Sequence, residues 1–477
     1  MFESPLRWYV ALLLIGTVAS IGIGNPIGKF QIHRLVEVGL ALGMLAWCYR
    51  PQAAAWLGRP IGSGWYGVGL LGFAVVTGVA SALGPIPYIS MGFLGLVLLQ
   101  FGLMPLLVEA WRQRTDEGFR LLALLAVALV GIDVGLWLVM RAFELQPYVW
   151  LRRLAPGGRE LLEVPYLYLN SRWANQISVL LLWTFIPLLE QLQQGLIRCQ
   201  RRFWWGICWA VPVLCCAQFV LSRGDGAFLA TWLALAALWW QWLRGSAPQR
   251  SLWGTALRMG LVAMALAVGF SMLLDAGSFM QDFASRNTQE FTIGTQTSGT
   301  QASGVRLATW ILYLRKTWLS PVWGQGIQAI PWGSSLCGPH NIWVALLYWC
   351  GLAGTGCALL LTTGFVPWAK SQWKQASSMA LPFLVSLFFY QLVDDIWLRP
   401  LSLALLLVLL PSLLPAAVLT LPAPPQVQRF TLSFERYRLL ALIGVLLIVL
   451  SVVLPGGVRL GPSDLVSMPN QVCLLFF

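Results

Sequence analysis

Long apolar runs separated by short polar connections dominate the chain. A membrane-spanning helix needs about 20 mainly apolar residues. Runs of that kind cover Trp8–Ile23, Leu35–Tyr49, Trp65–Leu83, Ile89–Val108, Leu121–Met140, Ser178–Ile197 and Phe203–Leu221 in the first half. Ala227–Leu243, Leu257–Leu274, Ile342–Val366, Met379–Val393, Leu401–Leu421 and Leu439–Leu454 follow. The pattern predicts an all-α polytopic membrane protein with about 13 transmembrane helices. The first run follows Arg7 and imitates a signal peptide, but no small-residue cleavage site closes it, so it reads as an uncleaved first span.

Two connections break the pattern by their length. Residues 141–177 carry Arg141, Glu144, Arg152, Arg153, Arg159, Glu160, Glu163 and Arg172. Residues 275–341 begin with a polar run from Ala284 to Gly299 and continue into an amphipathic stretch, Arg306–Leu319. No internal repeat is visible. The expectation is one integral membrane domain over residues 1–477, with the two long connections packed as a lid on one side. Loops on a rigid scaffold are where binding and catalysis concentrate.

The basic residues orient the spans. Connections holding Arg50 and Arg59, Arg112 to Arg120, Arg198 to Arg202, Arg244 to Arg258, Lys370 and Lys374, and Arg429 to Arg438 fall on one side with the N-terminus. The short connections opposite hold only Lys29, Arg34, Arg223, Arg399 and Arg459. This places the N-terminus in the cytoplasm and both long connections outside.

Composition narrows the class. Of 477 residues, 58% are hydrophobic and 10% charged, against about 25% charged in soluble domains. That excludes a soluble enzyme, a disordered chain and a disulfide scaffold. The net charge of +13 reads as Lys and Arg held at an anionic leaflet, so membrane lipids are partners and nucleic acid is not. The 9 cysteines fall mostly in apolar runs. Cys337 and Cys473 lie in external segments.

The few polar residues then carry the functional question. There are 2 histidines. His33 lies at the mouth of the second span. His340 lies in GPHNIW, directly before the tenth, where Asn341 would cap the helix. The structural alternative for His340 is a plain interfacial helix start. Arg223, in SRGDG, occupies a tight turn between two spans, where Gly224 and Gly226 have a structural reason to be and an arginine does not. It is either a snorkelling arginine or a phosphate clamp, because guanidinium matches phosphate oxygens bidentately. Arg306 opens the amphipathic stretch. Arg172 precedes the sixth span amid Asn170, Asn175 and Gln176. Three arginines at span mouths with one histidine point to a phosphate-bearing ligand at the membrane surface, hence a lipid phosphate or diphosphate. Asp394 and Asp395, with Arg399 following, read as an ion-paired helix end or as support for the site. Asp133 and Glu37 are intramembrane acids that need partners. No convergent carboxylate set suggests a metal, and no cofactor is implied.

The order of these features resembles a known family. An SRG turn after a span, a large outer loop, an arginine followed by a tryptophan (Arg306, Trp310), then Pro-His-Asn (Pro339–Asn341) and Gly-Leu (Gly351, Leu352) is similar to the superfamily of bacterial O-antigen ligases, O-antigen polymerases and protein O-oligosaccharyltransferases. The resemblance covers about Gln218 to Gly364. Its one departure is Val305, where the family often has Gly before the loop arginine. The resemblance implies a type C glycosyltransferase-like fold in the bacterial inner membrane. It also implies transfer of a glycan from undecaprenyl diphosphate to an acceptor hydroxyl at the periplasmic face, inverting and metal-independent. In it His340 corresponds to the essential histidine, and Arg223 and Arg306 to the arginines that hold the diphosphate; Arg172 is a further candidate. The segment Tyr166–Leu189 is most like the pilin-glycosylating oligosaccharyltransferases, which implies a pilin acceptor. Lipid A core, as for a ligase, or polymerisation remains the alternative. A lipid-linked oligosaccharide flippase is the rival from another class; it should show inverted repeats and interrupted helices, and the sequence displays neither.

Overall fold

The computed structural model describes residues 7, 10–15, 39, 42–43, 46, 64–112, 115–142, 171–222, 224–274, 305–329, 331, 339–363, 379–393, 409 and 434–453. Among them every regular element is helical and no strand occurs. In chain order the helices are α1 (Gly64–Leu83), α2 (Pro87–Arg112), α3 (Thr115–Ala142) and α4 (Ser171–Leu181). A 3₁₀ turn (Leu182–Thr184) then leads into α5 (Phe185–Gln193), α6 (Arg201–Leu221), α7 (Asp225–Arg244) and α8 (Ala247–Leu274). The last four are α9 (Val305–Thr317), α10 (Ile342–Thr363), α11 (Ala380–Gln391) and α12 (Phe434–Val453).

Among the described residues 6 helices are long and apolar enough to cross a membrane: Tyr66–Leu83, Glu117–Leu136, Arg201–Leu221, Asp225–Arg244, Gln249–Phe270 and Ile342–Leu361. Their outward faces are apolar. Leu71, Val75, Val79 and Leu83 are exposed on α1, Leu229 and Trp232 on α7, and Leu261, Val262 and Leu266 on α8. Water would not tolerate such continuous faces, whereas lipid requires them. The protein is a helical, multi-pass membrane protein. Most of the expected spans Trp8–Ile23, Leu35–Tyr49 and Leu401–Leu421 lies outside the described residues.

Small residues set the helix seams. A Cβ on Gly95 of α2 would sit 2.6 Å from the Gly444 carbonyl of α12, and one on Gly102 would sit 3.0 Å from the Tyr437 carbonyl. In α1, a Cβ on Gly69 would lie 2.6 Å from the Leu361 nitrogen and one on Gly72 2.7 Å from Cys357 Sγ of α10. Without hydrophobic drive between helices in lipid, such close backbone approach supplies the packing. α6 packs on α3, α4, α5 and α8, while α7 joins α8 to α11. The 3₁₀ turn is fully buried, and Trp183 within it donates from Nε1 to Ser386 Oγ of α11 at 2.7 Å. The single expected span Ser178–Ile197 is therefore α4, a 3₁₀ turn and α5. It begins seven residues earlier, at Ser171, within the first expected long connection.

The helix contacts also pair the connections by side. Arg7 forms an ion pair with Glu117 at the start of α3. Because α6 and α7 are joined through residues 222–224, the α5–α6 and α7–α8 turns share one end of that pair. The other end gathers the starts of α4, α7 and α10 with the ends of α6 and α11.

Candidate functional site

Two polar side chains tie α4 to the turn between α6 and α7. Ser222 closes α6, its N–H on the Gln218 carbonyl at 2.9 Å, and its hydroxyl donates to Asn175 Oδ1 at 2.5 Å. Gly224 follows, its N–H reaching back to the Phe219 carbonyl at 2.7 Å. Its φ is −81°, so handedness does not demand glycine. Space does, because a Cβ there would meet Asn175 Nδ2 at 2.5 Å. Gly226, one residue into α7, is likewise closed in, its Cβ direction ending 2.5 Å from Val393 Cγ2 beyond α11. The glycines of SRGDG are thus explained by close packing.

The segment before α10 arrives at the same end. Pro339 accepts at its carbonyl from Trp310 Nε1 of α9 at 2.5 Å. His340 is buried, with φ of 49°, in the left-handed region where a non-glycine residue is uncommon and often functional. Asn341 is the N-cap, its Oδ1 accepting from the N–H groups of Trp343 at 3.0 Å and Val344 at 3.2 Å. The capping role read from sequence is therefore present. Asn341 does more, however, since its Nδ2 donates to the Leu392 carbonyl beyond α11 at 3.1 Å. One residue before Leu392, the buried Gln391 has both side-chain amide atoms without a hydrogen-bond partner. A buried polar group left unpaired costs about 1–3 kcal/mol and calls for an explanation.

Four pieces of chain thus converge: the start of α4, the α6–α7 turn, the entry to α10 and the end of α11. Three helices present their N-termini there. α4 and α10 have no acidic residue in the first turn, and α7 has Asp225. The dipoles of α4 and α10 are thus not offset by an acidic side chain in their first turns and favour an anion at this end, while Asn341 already takes two of the α10 N–H groups.

The candidate residues distribute as follows. His340 and Asn341 are within this convergence. Arg223 lies outside the described residues, but Ser222 and Gly224 on either side of it are placed at the α4 contact. Arg172 is the second residue of α4 and Arg306 the second of α9. Asp394, Asp395 and Arg399 lie outside the described residues, directly after Val393. His33, Glu37, Cys337 and Cys473 lie outside them too. Asp133 is buried in α3. Among the described residues no group of three or more His, Cys, Asp or Glu gathers to hold a metal ion.

Sequence reasoning did not find the Asn175–Ser222 pair, the Leu392 carbonyl or Gln391. The amide density around Arg172 was the available signal for Asn175. Nothing in a linear apolar helix marks Gln391. Asn175 and Gln176, expected from sequence in the first long outer connection, are buried among helices.

One further expectation is corrected. The sequence displays no interrupted helix, yet α10 is interrupted at Gly351, where φ is 62° and ψ −170°. Compared with models of known protein families and with curated proteins, the chain matches none.

Proposed function

We propose that the chain is a glycosyltransferase that moves a glycan from undecaprenyl diphosphate to an acceptor hydroxyl, and that a Ser or Thr of type IV pilin is that acceptor. The observation that supports it is the convergence of His340 with the turn flanking Arg223, at an end where helix dipoles favour an anion. In this reading the lipid tail lies between spans. Arg223, Arg306 and Arg172 hold the diphosphate and stabilise charge as it develops on the leaving group. His340 takes the proton from the attacking hydroxyl. The acceptor oxygen forms the new bond to the anomeric carbon from the face opposite the departing diphosphate, so the configuration inverts. Asn341 fixes His340 at the helix start by its two backbone bonds and its tie to Leu392. Asp394, Asp395 and Arg399 would support the site from the segment after α11. No metal is assigned a role. The end carrying His340 would face the periplasm of a bacterial inner membrane, with the N-terminus cytoplasmic.

The interruption of α10 favours the flippase reading, because broken helices mark transport sites. Its backbone groups argue the other way. Four groups released by the break, the Leu352 and Ala353 N–H groups and the Tyr348 and Trp349 carbonyls, are each engaged by the chain's own residues 321–326, so the break is occupied by protein.

The test is purified protein in vesicles with a lipid diphosphate-linked glycan and a pilin acceptor. Glycan on pilin supports the proposal. Movement of the donor across the bilayer without transfer makes the chain a flippase. In cells lacking the chain, loss of the capped lipopolysaccharide ladder with pilin unchanged would move it to the ligases on lipid A core. Loss of ladder length alone would make it a polymerase. Transfer should survive EDTA; abolition by EDTA and rescue by magnesium would overturn the metal-independent mechanism.

A further inference from the structure

We infer that residues 318–323, the turn after α9, are inserted into the surface of the bilayer and rest on its acyl chains, rather than lying in the aqueous lid expected from sequence. The inference rests on the multi-pass membrane fold and is independent of the glycosyl-transfer reading.

The backbone comes first. Unbroken, α10 would bond the Leu352 N–H to the Tyr348 carbonyl and the Ala353 N–H to the Trp349 carbonyl. Instead Leu352 and Ala353 donate to the carbonyls of Pro321 at 2.8 Å and Val322 at 3.1 Å. The vacated carbonyls of Tyr348 and Trp349 accept from Gln325 at 3.0 Å and Gly326 at 2.9 Å. The turn is spliced into the helix so that the freed groups on both sides are satisfied. Further along, Ser90 Oγ of α2 donates to the Ile327 carbonyl at 2.6 Å, and Trp349 Nε1 to that of Ala329 at 2.8 Å. Irregular backbone is tolerated at membrane depth only when its polar groups are met within the protein.

The depth comes from two helices. Gly351 lies about 13 Å along α10 from Ile342 at 1.5 Å per residue. The turn packs on the last turn of α1. A Cβ on Gly326 would be 3.2 Å from the Ala80 carbonyl and one on Gly84 2.4 Å from that of Gln325. That part of α1 is still within the apolar span Tyr66–Leu83, and Val79 and Leu83 there are exposed.

The side chains supply the occupant. Trp318 is 78% exposed, Leu319 56%, Val322 48% and Trp323 49%. The backbone bond to Pro321 brings Leu352 beside them, and it is 61% exposed. The patch therefore continues the outward apolar face of α10. Immediately before it, the last turn of α9 carries Arg315 and Lys316, which suit lipid phosphates. Basic groups followed by exposed tryptophans and aliphatics form the pattern of an interfacial membrane insertion.

The experiment is photo-cross-linking of the full-length protein in vesicles of phosphatidylethanolamine and phosphatidylglycerol, with benzoylphenylalanine at position 318, 323 or, as control, 194 in the α5–α6 turn. Mass spectrometry of the adducts should find acyl-chain adducts at 318 and 323 several-fold above those at 194. Equal yields at all three positions would overturn the inference. So would adducts at 318 that join a second copy of the chain instead of lipid. A second reading uses Trp318→Phe, which should keep the protein in the membrane-extracted, folded fraction, against Trp318→Asp, which should deplete that fraction several-fold. Equal recovery of the two would contradict burial in lipid.

Discussion

The two ends of the bundle treat polar groups in opposite ways. At the end carrying His340, side chains bond across helices far apart in sequence: Ser222 to Asn175, Asn341 to the Leu392 carbonyl, Trp310 to the Pro339 carbonyl. These groups are buried or partly buried. At the opposite end, where Trp239, Trp240 and Trp242 are exposed, the bonds of Arg244, Arg250 and Arg258 are local. Arg250 reaches the Leu243 carbonyl at 3.2 Å, Arg258 the Gly254 carbonyl at 3.1 Å, and the Arg244 guanidinium stacks 3.9 Å above the Trp240 ring. The arginine-rich end of α6–α8 is thus mostly an anchored surface, and the end carrying His340 is built. Charge density marks where the chain meets phospholipid headgroups. Long-range bonds between buried groups mark where geometry is held.

That contrast can be broken or sharpened by substitution. His340→Ala should reduce transfer by about 10²–10⁴ with the protein still folded, as for loss of a general base. His340→Gln should not restore it, because an amide does not accept the proton usefully. Wild-type turnover in folded His340→Ala would erase the functional distinction between the two ends. Activity should also fall as the pH is lowered and the imidazole takes up the proton that it must accept from the acceptor, an effect absent from any variant lacking the base.

Gly351→Ala should destabilise strongly. Its φ and ψ lie in a region almost confined to glycine, worth about 1–3 kcal/mol for another residue, and the new Cβ would lie 2.3 Å from the Val322 carbonyl. Loss of the folded fraction in detergent, read by thermal unfolding, is the measurement. Gly356→Ala, where a Cβ meets nothing within 4 Å, is the matched control and should be neutral or slightly stabilising.

Asn341 separates cap from tie. Asn341→Ala should lose about 1 kcal/mol with the cap. Asn341→Asp keeps an oxygen for Trp343 and Val344 but has no N–H for Leu392. Thermal stability should return largely in Asp while transfer does not. Equal recovery of both would reduce Asn341 to a helix cap.

The smallest effect belongs to the opposite end. Arg250→Ala should change stability by no more than about 0.5 kcal/mol and leave turnover unchanged. A large loss of turnover there would show that the basic end takes part in the chemistry.

Much of the helical layout was legible in advance. The spans expected at Trp65–Leu83, Phe203–Leu221 and Ala227–Leu243 appear within two residues of their expected limits, because a run of apolar side chains in lipid leaves the backbone no partner but itself. The amphipathic stretch expected from Arg306 is α9. His340 stood out because only 2 histidines exist in 477 residues, and Asn341 because a cap obeys a local rule.

The sequence alone settled that the chain is a helical membrane protein and named the residue types at its polar mouths, since apolar length and local capping are properties of a segment by itself. It could not place Asn175 against Ser222, or Leu392 under Asn341, because those pairs join segments whose separation along the chain carries no information about their distance in space. The break at Gly351 belongs to the same class. Gly-Leu in an apolar run reads as continuous helix until residues 321–326 arrive to take its hydrogen bonds. Only the tertiary structure decided these features, because a buried polar group or an opened helix is stable only when its partner comes from elsewhere in the fold.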